Sequence, residues 1–292
     1  MLFFSILIGG LVLGCTYGIL AMGYSLIYQA SGYMNFTQPD LLMFGSFLGL
    51  TFYGMWGWPF IIALLLSMII MFIVGRLMEA LVIRRLVKAF AKNIYVVLAT
   101  IALSIIFQNA AMLIWDSRQH PMPSIFPDME SLKIFGASIT MESLLCIIVS
   151  IVAMVVLHLF LTKTKFGTAM RASAQNKTAA SVMGINVWKT IGVTYGISAA
   201  LATLGGILVS PALSVSMNLG QQIGLKSFAS AVIGGYGNIY GAIIGGIIMG
   251  LLETFTSAYV SSIAKDFVVY LMLILVMIFK PTGITNAKVY DT

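Results

Sequence analysis

Charge is what this 292-residue chain has least of: 9% of its residues are Asp, Glu, Lys or Arg, against 60% hydrophobic, and its mean hydropathy is +1.03. No soluble core absorbs that much apolar side chain, so a water-soluble globular enzyme is excluded and a membrane protein indicated. No charge occurs from Met1 to Pro39 or from Leu41 to Gly75, and each interval exceeds the roughly 20 residues with which a helix crosses a bilayer. Strict apolar alternation is missing too, which favours helices over an outer-membrane barrel. Cysteine is scarce. Cys15 and Cys146 both fall in apolar runs and form no CxxC, so neither a disulfide framework nor a metal site is indicated. His120 and His158 stand apart, with no HExxH, and no metal is expected.

Nucleotide and hydrolase motifs are also lacking. Gly235, Gly237 and Gly241 give GxGxxxG, one residue off the dinucleotide fingerprint, and Lys226 is not directly preceded by the glycine a P-loop needs. No GxSxG is present. If transport here uses ATP, a partner must supply it. Residues Met1 to Ser5 carry no Lys or Arg and the apolar run continues to Tyr28. That run is too long for a signal-peptide core and reads as a retained first span.

What is present is a series of apolar segments at about 5–30, 40–55, 59–78, 94–115, 142–162, 190–213, 223–234, 239–257 and 267–280. They predict an all-α polytopic helical bundle with eight or nine membrane crossings, forming one domain over residues 1–292. The net charge of +7 does not point to nucleic acid, because most bases lie in two loops between spans. Residues 76–92 hold Arg76, Arg84, Arg85, Lys88 and Lys92 against Glu79 alone; residues 163–189 hold Lys163, Lys165, Arg171, Lys177 and Lys189 with no acid. Positive-inside sorting places both loops in the cytoplasm, 116–141 outside, and the C-terminal tail after Lys280 inside. The 163–189 loop, base-rich and studded with alanines ahead of Met183-Gly184, is expected to be a docking surface for another protein.

Glycines recur every fourth residue at Gly10, Gly14 and Gly18 and at Gly237, Gly241 and Gly245, with a further pair at Gly246 and Gly250. That spacing allows neighbouring helix backbones to approach closely, and helix packing is the expected role. Two polar patches, 31–40 and 234–241, adjoin these stripes. Irregular backbone at membrane depth is tolerated only where it is buried or lines a wet cavity, so broken helices beside a pathway are expected. Ionisable residues sit mostly at segment ends: Asp40 and Asp266 read as helix-start caps, and Glu79 lies near Arg76. Glu253 is the candidate intramembrane acid, with pairing to Lys265 as the structural alternative.

Taken in order, Gly10-Leu-Val-Leu-Gly14-Cys-Thr-Tyr17, Asn35-Phe36, Thr100-Ile-Ala-Leu-Ser104-Ile-Ile-Phe-Gln108-Asn109, Phe166-Gly167-Thr-Ala-Met170-Arg171-Ala172, Gln175-Asn176, Met183-Gly184-Ile185, Lys226-Ser-Phe228, Glu253, Lys265-Asp266 and Pro281-Thr282-Gly283 resemble the LivH family of branched-chain amino acid ABC permeases. The resemblance covers nearly the whole chain. It implies a permease subunit in the bacterial or archaeal cell membrane, paired with a second related permease, two cytoplasmic ABC ATPases and an extracytoplasmic solute-binding protein. It also implies that Arg171, Ala174, Asn176, Ala180 and Gly184 lie on or beside the surface that meets the ATPase. No cofactor is expected on this chain, ATP being used by the partners. Asn35, Gln38, Gln108, Asn109, Asn218, Gln221 and Asn238 are the expected translocation-path residues. The chain departs from the family pattern in both polar patches, where Thr37-Gln38-Pro39-Asp40 and Asn238-Ile239-Tyr240 replace the usual residues. The resemblance also admits urea or a short amide as the alternative substrate; an ion-coupled transporter or channel is the alternative class.

Overall fold

The computed structural model describes residues 2–89, 92–127, 132–134 and 137–285, and in it the apolar runs fold as helices. A bilayer offers no water to backbone amides, and a helix satisfies them within one segment. The first half comprises α1 (Leu2–Ser31), α2 (Gln38–Gly49), α3 (Phe60–Met78), α4 (Arg84–Lys88) and α5 (Asn93–Trp115). Wider π-helical turns, Leu50–Met55 and Glu79–Ile83, extend α2 and join α3 to α4. A small antiparallel hairpin, β1 (Leu132–Ile134) against β2 (Ala137–Ile139), follows. The rest is α6 (Met141–Lys163), α7 (Lys165–Gln175), α8 (Lys177–Val182), α9 (Val187–Leu213), α10 (Leu219–Gly234), α11 (Ile239–Tyr259) and α12 (Lys265–Phe279). Asp128 and Glu130 of the 116–141 loop, and the tail from residue 286, lie outside the described residues.

Among the described residues, six helices are long and apolar enough to cross a membrane: α1, α3 with its extension to Lys88, α5, α6, α9 and α11. The remaining segments of the sequence-based count are α2, α10 and α12. The 16 residues of α10 and the 15 of α12 reach about 24 and 22 Å, short of a hydrocarbon core of about 30 Å. α9 is the central post, packed by α1, α2 and α3, and 72% of its most apolar stretch is buried against 11% for α5. α5 therefore offers most of its surface to lipid or to a partner.

The longest helix contact runs between α1 and α11. A Cβ on Gly14 would lie 2.9 Å from Ile247 Cα, and one on Gly10 would lie 3.1 Å from Leu251 Cα. A Cβ on Gly250 would overlap the backbone of Gly14, and one on Gly246 that of Gly18. The glycines that meet the Gly10–Gly14–Gly18 stripe are thus Gly246 and Gly250. Gly241 and Gly245 instead face α10 at Gly234 and Ser230. Gly237 packs no helix pair. It stands in the α10–α11 turn with φ +90°, a conformation glycine adopts without steric cost. A four-residue repeat does not continue one face indefinitely, since α-helical phase advances 3.6 residues per turn, so adjacent glycines serve different neighbours.

Candidate functional site

Between α6 and α9 the chain leaves the bundle in two short helices, each started by a side-chain cap. Thr164 Oγ1 accepts from the Gly167 amide at 2.9 Å and Asn176 Oδ1 from Ala179 at 2.8 Å, and α9 is started likewise by Asn186 Oδ1, which accepts from Lys189 at 3.0 Å. α7 is amphipathic: Gly167, Met170 and Ser173 are buried against the bundle, and Arg171 and Gln175 are exposed. α8 ends in a Schellman closure, the Ile185 amide donating to Ala180 O and the Gly184 amide to Ser181 O, both at 3.0 Å. Gly184 takes φ +81° there. The closure presents Val182 and Met183 to solvent, 80% and 81% exposed, beside a base-rich surface. Two large apolar side chains held out on a rigid turn are the form of an interface anchor.

Of the residues expected to meet a partner, Arg171 and Gly184 are exposed and Ala174 is half-buried. Asn176 is accessible, but its side chain is spent on the α8 cap, and Ala180 is buried beneath the turn at 5% exposure. Composition alone did not single out Val182 and Met183; the signal was two apolar residues directly before a helix-ending glycine. Burial pulls the Lys177 ammonium below the usual lysine pKa.

The second element is the break between α1 and α2. Gly32, at φ +80°, turns the chain out of α1. Asn35 Oδ1 then accepts from the Thr37 amide at 3.2 Å, and Thr37 Oγ1 donates to Thr100 O at 2.8 Å. Gln38 Nε2 donates to Ser198 O of α9 at 3.1 Å, and Gln108 Nε2 of α5 donates to Asp40 Oδ1 at 2.8 Å. Asn35, Thr37, Gln38 and Asp40 are each at most 2% exposed. Gly23 makes the room, since a Cβ there would lie 2.5 Å from Gln38 Nε2. Ser198 is the twelfth residue of α9, about 16 Å along that helix, so this polar cluster sits deep in the bundle. Asn35 Nδ2, Gln38 Oε1 and Ser198 Oγ are buried without a protein hydrogen-bond partner. Such groups cost about 1–3 kcal/mol each unless a polar species meets them.

Other expected path residues lie elsewhere. Asn109, adjacent to Gln108, projects from a different face of α5, is exposed, and donates to Ile105 O of its own helix at 2.8 Å. Asn218 and Gln221 are exposed at the start of α10, Gln221 lining a cleft of about 420 Å³ with Tyr17, Lys226 and Tyr270. Asn238 caps α11, its Oδ1 accepting from the Tyr240 amide at 3.0 Å. The 234–241 patch is a helix-to-helix turn near the α7 end of α6: Tyr240 OH meets His158 Nδ1 at 2.5 Å. Only the 31–40 patch is a break deep in the bundle.

The acids are held by partners from several elements, the expected Glu253–Lys265 pair among them at 3.6 Å. Glu79 is bound by Arg84 at 2.7 Å, five residues on, and Arg76 takes no part, because the π-helical turn brings residue 84 back over residue 79. Asp40 stands in the first turn of α2, as expected of a helix-start acid, and its carboxylate is also held by Gln108. Glu253 accepts from Lys226 Nζ at 2.5 Å and from Tyr17 OH at 2.6 Å, with Lys265 further off at 3.6 Å; Lys226 also reaches Asp266 at 2.8 Å. Each charge there is matched, which favours a structural clasp among α1, α10, α11 and α12.

The model of the branched-chain amino acid transport system permease component matches residues 6–277. The chain is 34% identical, over 97% of its length and 95% of the relative's, to the high-affinity branched-chain amino acid transport system permease protein LivH of Salmonella typhimurium. It is 32% identical to BraD of Pseudomonas aeruginosa, a protein of the same description, covering 95% of this chain and 94% of that one. It is 30% identical to the probable branched-chain amino acid transport permease protein LivH of Methanocaldococcus jannaschii, covering 96% and 92%. No solved structure matches the chain. With its bundle of apolar helices and near full-length match, the chain belongs to the branched-chain amino acid transport permease family.

Proposed function

We propose that this chain is the transmembrane permease subunit of an ABC importer for branched-chain amino acids, forming half of the translocation pathway. In this reading a second related permease supplies the other half, two cytoplasmic ATPases hydrolyse ATP, and an extracytoplasmic binding protein delivers and largely selects the substrate. The chain itself performs no hydrolysis. The α7–α8 segment is the handle the ATPases grip, on the cytoplasmic side of the cell membrane. The C-terminus lies on that same side, supported by Thr285, which hydrogen-bonds Gly234 O in the α10–α11 turn near His158.

One observation carries the proposal: Val182 and Met183 stand bare on a capped, glycine-closed turn with bases around it and no acid from 163 to 189. ATP drives a permease only if the closed ATPase pair favours one of its states, so a rigid handle is required. Charge reversal at Arg171 is expected to uncouple hydrolysis from uptake while leaving the membrane part folded. Affinity purification through a tag on the chain tests the assembly; recovery of two ATPases and a second permease supports it, and recovery of the chain alone with intact uptake contradicts it. Uptake competition among leucine, valine, urea and acetamide then assigns the substrate. An ion-coupled mechanism is disfavoured because Asp40 and Glu253 are both engaged in side-chain hydrogen bonds.

A further inference from the structure

The α7–α8 segment and the α1–α2 break touch at one side chain. Lys177, the first residue of α8, donates from Nζ to Ser31 O at 2.6 Å across 146 positions of sequence, and the same ammonium lies 5.6 Å from the centre of the Tyr33 ring. Ser31 closes α1, and its carbonyl is among those a helix end leaves without an intrahelical partner. A cation is favoured there by the helix dipole and by the aromatic face. The corner it holds is stiff. Ser31 Oγ donates to Ile27 O at 2.8 Å and accepts from the Tyr33 amide at 3.1 Å. Asn35 and Gln38 follow directly, so a shift of this corner is passed to the buried polar groups of the break. At the other end, the Asn176 cap fixes where Lys177 leaves α8. A cavity of about 440 Å³, lined by Ser31, Tyr33, Lys177, Ser181 and Trp188 among others, lies beside the contact and gives the corner space to move.

We propose that Lys177 is the positioning residue through which displacement of the α7–α8 segment reaches the Ser31–Gln38 break, and so the side chain that couples ATPase closure to the pathway. The inference rests on the permease reading above. Methionine, similar in length but with no N–H or O–H, cannot donate to Ser31 O, so in that variant α8 and the break would move independently.

The test uses the whole importer, reconstituted in proteoliposomes with both permeases, the ATPases and the binding protein. Lys177→Met is expected to keep its ATPases and its melting temperature while uptake per ATP hydrolysed falls about tenfold, within the usual range of coupling free energies. Lys177→Arg, which retains a donor and a cation for Tyr33, is expected to restore most of the ratio. An unchanged uptake-to-hydrolysis ratio in Lys177→Met overturns the inference. So does loss of the ATPases from that variant, which would make Lys177 a docking contact. Failure of the unmodified chain to recover any ATPase strikes instead at the permease reading.

Discussion

Replacing Gly250 by alanine adds one methyl group where α1 and α11 are closest. Its Cβ would overlap the Gly14 backbone and lie 2.5 Å from Gly10 O. Carbon atoms rest at about 3.5–4.0 Å, so the two helices must part by roughly an ångström along their tightest stretch. Overpacking of this kind costs about 1–3 kcal/mol. Because the obstacle is backbone on a 30-residue helix, with no side chain free to swing away, the upper part of that range applies. Better helix propensity returns about 0.8–1 kcal/mol. The net expectation is a loss of about 2 kcal/mol. Gly9→Ala is the matched control: its Cβ would meet only Thr254 Cγ2 at 3.7 Å, an ordinary contact. That variant keeps the propensity gain and should be slightly stabilised. Thermal unfolding of the purified chain in detergent, followed by size-exclusion recovery, reads both. If Gly250→Ala melts at or above Gly9→Ala, close glycine packing between α1 and α11 is not what holds these helices together.

Two further outcomes follow from the same geometry. Lys226→Met leaves the Glu253 carboxylate with Tyr17 and the longer 3.6 Å pairing to Lys265 and should cost about 3 kcal/mol, while Lys226→Met with Glu253→Met should lose clearly less than the sum of the two single changes; an additive double variant denies the coupling. Val182→Ser with Met183→Ser removes only exposed surface, so the melting curve should stay within about 0.5 kcal/mol of the parent while copurifying ATPase falls sharply; full retention of ATPase would show that the exposed pair is not the anchor.

Helix positions were legible because long uncharged runs leave a membrane chain few other folds, and the polar 163–189 stretch stood out against them for the same reason. Residue partners were less so. Glu79 has a base three residues before it and another five after, and only the π-helical turn decides for Arg84. Gln108 and Asn109 look alike in sequence, but helical rotation of about 100° per residue sends one to Asp40 and the other to the outer surface. Glycine spacing announced close packing, yet which neighbour each glycine meets depends on where α11 begins, and Asn238 sets that by capping it after Gly237. The pairing of the buried Lys226 with Glu253 gave no sign in sequence because the two are 27 residues apart.

The central claim, that an external motor grips the α7–α8 segment from inside the cell, is tested most directly by labelling. A single cysteine at Thr178, an exposed position on α8, is introduced after replacing the buried Cys15 and Cys146. A membrane-impermeant maleimide should leave it unmodified in intact cells and react with it in inverted membrane vesicles. Modification in intact cells would put the segment on the outer face and contradict the account.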